Sequence, residues 1–459
     1  MKIVLIVPNF DTYVICPQLG IMYLSAYLKK HGHEVTIIDA LRDNLSYEQI
    51  MAIVDRVKPD GVGIHCLSSF FKQVCDITKM LKEKNYIVYI GGVHPTFSPY
   101  STLKATGADY VMCGEGEIAL LKLCNNKMVN NNIQGVYSIN DLQDDSHRID
   151  GTPIVKAEII ENLDELPFPD WEQCPPDSYP QAPHAVIAKN YPIGIITTSR
   201  GCPFRCAFCS SHNFYKGVRF RSIENVIAEI KYQIEKFHIK ELQFIDDNLT
   251  LKKAYALELC KRMMEENIKI DWTPINGIRA DSLDDEVAKA MKDAGCYLVD
   301  FGIEAVNKDI LKNIKKGETI DTITKAINCA HRAGMVTIGN FIFGLPGETK
   351  ETIEEAIEYA VNSKLDRAGF FALNVLPGSD IANDLKKKGI EIKGDSLFST
   401  PDLLVTDLTS RQIEKYIQKA YWRFYFRPKR MFNVLKSIPP KQYKYFFKAI
   451  MKYKLLKFW

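Results

Sequence analysis

The stretch Ser199-Arg-Gly-Cys-Pro-Phe-Arg-Cys-Ala-Phe-Cys-Ser210 sets Cys202, Cys206 and Cys209 at Cys-x3-Cys-x2-Cys spacing, directly after the β-branched run Ile195-Ile-Thr-Thr198. Three soft thiolates offered from one loop at a strand end suit an iron-sulfur cluster. A four-iron cluster has four corners to hold, so this set leaves one iron open to a small molecule. The competing reading is a structural zinc knuckle, because His212 follows three residues after Cys209 and would complete a Cys3His set. Such knuckles bring their ligands in separated pairs more often than in one run after a buried strand. The other nine cysteines are scattered, several in apolar surroundings, and read as small core residues.

Outward from this loop the chain repeats a strand-helix unit six times. Strands are expected at 194–198, 241–245, 270–276, 297–302, 337–343 and 368–374, with helices at 223–237, 252–266, 284–293, 320–333 and 351–361. Six such units make a partial (β/α) barrel whose chemistry belongs at the carboxyl ends of its strands, where the cysteine loop lies. Asp246, Arg279 and Glu304 close the second, third and fourth strands, and Gly344 follows the fifth. A buried acid at a strand end is often only a cap, and Gly347-Glu348 reads equally well as the start of a helix. Three charges converging on one rim are costly unless something binds there.

Upstream, strands at 2–7, 34–39, 62–65, 87–90 and 110–113 alternate with helices at 19–30, 47–57, 70–84 and 118–125, a doubly wound pattern. Its unusual loops fall at the carboxyl ends of strands: Pro17-Gln18-Leu19-Gly20, Cys66-Leu67-Ser68-Ser69, Gly91-Gly92-Val93-His94-Pro95-Thr96 and Gly114-Glu115-Gly116-Glu117. Glycines and small hydroxyl residues there let backbone approach a large flat ligand. Between the two series, residues 127–190 form an Asn- and Pro-rich connector containing Asn162-Leu-Asp-Glu-Leu-Pro-Phe-Pro-Asp-Trp171.

At 459 residues and 46% hydrophobic content the chain is globular and long enough for two or three domains. The N-terminus reads as a strand ended by Pro8 rather than a signal peptide, and no run reaches the roughly 18 apolar residues of a membrane span. With no export signal the cysteines are expected to stay reduced in a cytoplasm. The net charge of +3 conceals a tail, 411–459, with 14 Lys or Arg against Glu414 alone. Its aromatic and cationic residues suit an anionic membrane surface, with an equal case for a helix pair packed on the barrel. Nucleic acid is not expected, since no nucleic-acid-binding motif accompanies the charge.

The cysteine motif, with Phe208 before its last cysteine, resembles the radical S-adenosylmethionine (SAM) enzymes, in which the methionyl amine and carboxylate chelate the free iron. Preceded by the doubly wound series, the chain resembles the cobalamin (B12)-dependent branch of that family from about residue 1 to 430. The resemblance implies a Rossmann-like cobalamin-binding domain (1–140), the connector (141–190), a radical SAM partial TIM barrel (191–400) and a basic, aromatic helical region (401–459). It implies SAM contacts at Phe208, Asp246, Arg279, Glu304 and Gly344, with cluster ligands Cys202, Cys206 and Cys209. It implies cobalamin contacts at Gln18, Leu19, Ser68, Ser69, Gly91, Gly92, His94, Glu115 and Gly116. The Asp-x-His-x-x-Gly sequence of many cobalamin proteins is absent, and His65 and His94 read as hydrogen-bonding groups, so cobalt is expected to lack a protein imidazole.

The function implied is methylation of an unactivated carbon, through a 5′-deoxyadenosyl radical and methylcobalamin, on a small or lipid-like substrate. Electrons would come from a flavodoxin or ferredoxin. A ring-forming, carbon-carbon bond-forming or oxidative outcome with the same cofactors is the nearest alternative, and a zinc-stabilised binding or sensing protein is the alternative of another class.

Overall fold

The structure, a computed structural model, describes residues 1–12, 14–181, 184, 187–390, 405–428, 430–432, 438 and 442–443. Strands β1 (Lys2–Val7), β2 (Glu34–Asp39), β3 (Gly61–His65), β4 (Val88–Gly91), β5 (Tyr110–Met112) and β6 (Val136–Tyr137) form one sheet in the order β2-β1-β3-β4-β5-β6. All pairs are parallel except β5 with β6. Alternation along β1 explains the layering. Val4 and Ile6 face α2 (Tyr47–Val57) and α3 (Phe71–Glu83), while Ile3, Leu5 and Val7 face α1 (Leu19–Lys30) and α6 (Glu117–Asn125). Each such side chain contributes roughly 1.5–3 kcal/mol by leaving water. Strand order reverses between β1 and β3, which opens a crevice at their carboxyl ends. Two short helices follow β4: α4 (Val93–Phe97), which takes up part of the loop expected at 91–96, and α5 (Pro99–Thr106). Pro99 is the first residue of α5, where a missing N–H costs nothing.

The second series begins with β7 (Ile193–Ile196). A two-stranded clasp, β8 (Ser199–Arg200) against β9 (Arg219–Phe220), pins the base of the cysteine loop, and α7 (Ser211–Phe214) lies within it. Strands β10 (Glu241–Phe244), β11 (Asp271–Pro274), β12 (Leu298–Glu304), β13 (Val336–Phe343) and β14 (Arg367–Ala372) continue around a partial barrel. The barrel order is β7-β10-β11, then β12-β13-β14, joined by parallel bridges at Trp272–Cys296 and Ile278–Phe301. Outward side chains such as Leu242, Phe244, Phe301 and Phe341 pack under α8 (Ile223–Phe237), α9 (Lys253–Glu265), α10 (Asp285–Asp293), α12 (Ile320–Arg332) and α13 (Lys350–Asn362). The short helices α11 (Lys308–Asn313) and α14 (Asp380–Lys387) flank the cysteine loop.

The connector is a wedge between the two units. Leu163, Leu166, Trp171, Cys174 and Tyr179 pack between Leu19, Met22 and Tyr23 of α1 and Ile193 and Ile195 of β7. Asp170 accepts from Ser25 Oγ at 2.6 Å and pairs with Lys29, and Tyr179 donates to Asp39 at 2.6 Å. Of the proline series read in this stretch, Pro183 lies outside the described residues. Beyond the barrel, α15 (Ser410–Tyr425) covers the open edge of β14. The Tyr425 hydroxyl accepts from Ala368 N and donates to Ala368 O, and Tyr421 accepts from Phe370 N at 3.2 Å. The continuation of the basic tail at 444–459 lies outside the described residues.

Candidate functional site

The cysteine loop is held from several sides. Gly201, at φ +95°, starts it where a Cβ would stand 2.2 Å from Gly217 O, so the turn requires glycine. Ala207 N donates to Ile314 O at 2.8 Å and Ala207 O accepts from Ile381 N at 3.0 Å, tying the loop to α11 and α14. The Arg279 guanidinium lies 3.6 Å over the Phe204 ring. Cys202, Cys206 and Cys209 are all partly accessible. Burial raises their thiol pKa values, Cys209 to about 11, while Arg279 and Lys316 pull those of Cys202 and Cys206 back down. Among the described residues no three His, Cys, Asp or Glu gather around a single-ion position. His212 instead turns Nε2 toward Asp380, 3.8 Å away. A zinc knuckle needs four donors drawn within about 2.0–2.3 Å of one ion, whereas three separated thiolates with cations beside them fit a larger anionic cluster with one open corner.

The strand-end polar residues divide into two groups. Asp246 does not face the rim as a free ligand. It accepts from Thr198 N at 3.0 Å, Thr198 Oγ1 at 2.7 Å and Ser199 Oγ at 2.6 Å, and so fixes the strand exit that launches the loop. Its neighbour Asp247 stays exposed and takes a 2.6 Å bond from Ser211. Arg279 and Glu304 do converge, together with Lys316, Glu318 and Asp281, which the sequence did not single out. Lys316 Nζ stands 3.4 Å from both Glu304 and Glu318, and Arg279 pairs with Asp281 at 2.6 Å. Glu304 sits at φ +64° on a bulge of β12, a strained backbone for a residue other than glycine. Gly344 turns its Cα toward Ile413 of α15, which a Cβ would meet at 3.4 Å, and Glu348 bonds the Gly344 and Leu345 amides. Phe208 packs with Ala207, Leu345 and Leu373 in a small apolar cluster.

At the carboxyl edge of the first sheet a cavity opens directly onto this barrel mouth. Its enclosed part measures about 290 Å³, near the lower end of the roughly 300–1,000 Å³ of ordinary small-molecule pockets, and it continues into an open side. Leu19, Gly91, Gly92, Glu115 and Gly116 line one wall, and Thr197, Ser199, Arg200, Tyr215 and Asp247 the other. Gln18, Ser68, Ser69 and His94 lie outside the lining. His94 is buried, bonded through Nδ1 to Ser68 Oγ at 2.9 Å, with its pKa lowered to about 4 by burial. His65 does line the cavity, and burial likewise holds it neutral.

Glycines shape the cavity wall. Gly92, at φ +121°, sits where a Cβ would come 2.5 Å from Cys66 O, so only glycine fits the turn. Gly63 leaves room for Tyr89, whose buried hydroxyl has no partner among the described residues. Glu115 is committed elsewhere. It binds Arg200 at 2.5 Å and also Arg219, while Arg200 reaches Glu117 at 2.7 Å, so these four side chains lock the two units together.

The model of the B12 binding domain matches residues 6–123, and that of the Radical SAM superfamily matches residues 196–360. The uncharacterized methyltransferase PH0819 of Pyrococcus horikoshii is 34% identical over 444 residues, covering 94% of this chain and 93% of that protein. The cytidylyl-2-hydroxyethylphosphonate methyltransferase of Streptomyces wedmorensis is 28% identical, covering 83% of this chain and 80% of its own length. The radical SAM methyltransferase TsrM of Kitasatospora setae, solved with tryptophan and a SAM analogue, shares the fold at a TM-score of 0.72 and 18% identity, over 84% of this chain and 76% of that one. With both domains matched in order and a full-length relative at this identity, the chain belongs to the cobalamin-dependent radical SAM enzymes, whose cofactors are a [4Fe-4S] cluster, SAM and cobalamin.

Proposed function

We propose that this chain methylates an unactivated carbon of a small or lipid-like substrate. The observation that carries the reading is the single cavity walled on one side by the glycine loops of the first sheet and on the other by the strand end that launches the cysteine loop. The two relatives named as methyltransferases support the choice of methyl transfer. When bound, the cluster and SAM supply a radical by reductive cleavage, and cobalamin supplies a transferable methyl group.

In this reading Cys202, Cys206 and Cys209 hold three irons. Arg279 and Lys316 set positive charge beside the open corner for the SAM carboxylate, and Glu304 accepts from its amine or ribose. Asp246 and Gly201 position the loop. Leu19, Gly91, Gly92 and Gly116 bring backbone against the corrin, with Gly63, Tyr89 and His65 below, while Gln18, Ser68, Ser69 and His94 support these loops from behind. Phe208 and Gly344 belong to the packing behind the adenine. Phe214, Tyr215 and Ile245 close the cavity against water. The domain limits at 140, 190 and 400, cytoplasmic residence, a flavodoxin- or ferredoxin-type donor and peripheral contact with an anionic membrane belong to the same reading; no helix among the described residues is long and apolar enough to cross a membrane.

Anaerobic reconstitution tests it. The wild type is expected to bind iron, sulfide and cobalamin and to form 5′-deoxyadenosine and S-adenosylhomocysteine, with a methylene added to the product by mass. Cys202→Ala, Cys206→Ala and Cys209→Ala should each lose iron and SAM cleavage to background, whereas His212→Ala should keep its iron. Zinc without iron in the wild type, lost from His212→Ala, would overturn the cluster reading.

A further inference from the structure

We propose that Asp300 and Asn340, facing each other inside the barrel, anchor the protonated amine of an amphiphilic substrate. Alternation along β12 places Val299, Phe301 and Ile303 in the outer core under the helices, so Asp300 and Glu304 project into the lumen. On β13 the outward residues are Phe341 and Phe343, which turns Asn340 and Ile342 inward beside them. Asn340 Nδ2 stands 2.9 Å from both carboxylate oxygens of Asp300, and this contact orients the amide. On β14, Gly369 pairs with Asn340, and a Cβ there would come 2.5 Å from Asn340 Oδ1; glycine keeps the amide in place.

Asp300 is a carboxylate only 6% exposed, and no cation is among the groups acting on it. Burial raises its pKa to about 7, Asn340 and the Phe301 amide lower it, and Glu304 raises it further. Glu304 itself is matched by Lys316, and the lumen-side Arg367 interacts with Tyr297, Tyr425 and Asp366 instead. A buried carboxylate without a cation is expensive unless a ligand completes it. The walls around it are apolar. Phe371, the next lumen position on β14, is 36% exposed, and its ring lies against Gly369, the strand partner of Asn340. An exposed aromatic face near an unmatched carboxylate suits a cationic head with an apolar body.

This inference rests on the proposed radical chemistry only for the substrate's route through the barrel mouth, and its test reads binding rather than turnover. Octylamine, 1-octanol and octanoate are titrated calorimetrically into cluster- and cobalamin-loaded enzyme at a pH above about 7, where Asp300 is ionised. The wild type is expected to bind octylamine at least about tenfold more tightly than octanol, and octanoate most weakly, since only the ammonium forms a charge-assisted hydrogen bond with the carboxylate. Asp300→Asn, matched to the wild type for iron and cobalamin, is expected to lose that preference while still binding octanol. An amine held by cobalt or iron would ignore this substitution. Equal affinity of the wild type for amine and alcohol, no saturable amine binding, or an unchanged preference in Asp300→Asn overturns the proposal. If Asp300→Asn does not fold, the wild-type ranking decides. Failure to load iron at all would instead count against the proposed function.

Discussion

Single residues in this protein carry roles that their neighbours in sequence do not reveal. Glu348, in Gly344-Leu-Pro-Gly-Glu348, is 4% exposed and holds the turn after β13 by accepting the Gly344 and Leu345 amides. Burial raises its pKa from 4.5 to about 7, against the pull of those two amides. The folded state therefore binds this proton more tightly than the unfolded chain. Its favourable contribution is full below about 4.5 and is lost as pH rises toward 7. Urea unfolding of Glu348→Gln is expected to show a stability relative to wild type that improves across that window, by on the order of 1–3 kcal/mol. A difference that stays flat with pH would show that Glu348 is not titrating there. Asp300 shifts in the same direction, so the comparison with wild type is what isolates Glu348.

Among the elements, α15 has two unlike faces. Its inner face, with Ile413, Phe424 and the Tyr421 and Tyr425 hydroxyls, is a cover for the edge of β14, which settles the inward part of the tail as packing. Its outer face carries Trp422 at 41% and Phe426 at 58% exposure, stacked with centroids 3.7 Å apart, followed by Met431 and Phe432, both exposed. These side chains are the candidates for contact with an anionic surface, on a basic segment whose Arg423 pairs with Glu358 and whose Arg430 lies over Phe424. Trp422→Ser with Phe426→Ser is expected to weaken sedimentation with phosphatidylserine vesicles at low salt, with thermal stability nearly unchanged. Each nearby cation adds on the order of 1 kcal/mol, screened within a Debye length. If the wild type fails to sediment at all, the membrane reading is wrong. Removing α15 would test nothing about membranes, because it uncovers the β14 edge.

Across the whole molecule, the two units are joined by the connector's apolar wedge and by the buried Arg200, Arg219, Glu115 and Glu117 cluster. Arg200 stands two residues before Cys202, so the same ion cluster braces the cavity rim and the base of the cysteine loop. Glu115→Ala leaves two guanidinium groups buried without this partner and should cost about 3–5 kcal/mol of stability. It is expected to lower cobalamin retention and iron content together, measured on one purified sample. Loss of cobalamin alone, with iron and stability intact, would return Glu115 to a direct ligand role.

By themselves the residues determined the cysteine spacing, the alternation of both βα series and the glycine turns, because these depend on neighbours in the chain and on periodicity. The strands and helices expected in the two βα series fell within two residues of their limits for that reason; the short helices α4, α5, α7, α11 and α14 were not expected, and α11 and α14 are tied by backbone bonds to the cysteine loop they flank. The partners of the charged groups were decided only by tertiary structure. Asp246 and Glu115 stand at strand ends, and only the folded chain shows that one also holds a strand exit through Thr198 and the other also joins the two units through Arg200. Lys316, in Lys315-Lys316-Gly317-Glu318, carried no local mark of function and is buried beside Glu304. A carboxylate's role depends on which distant donor reaches it when the chain closes on itself, and that information lies in no local stretch of sequence.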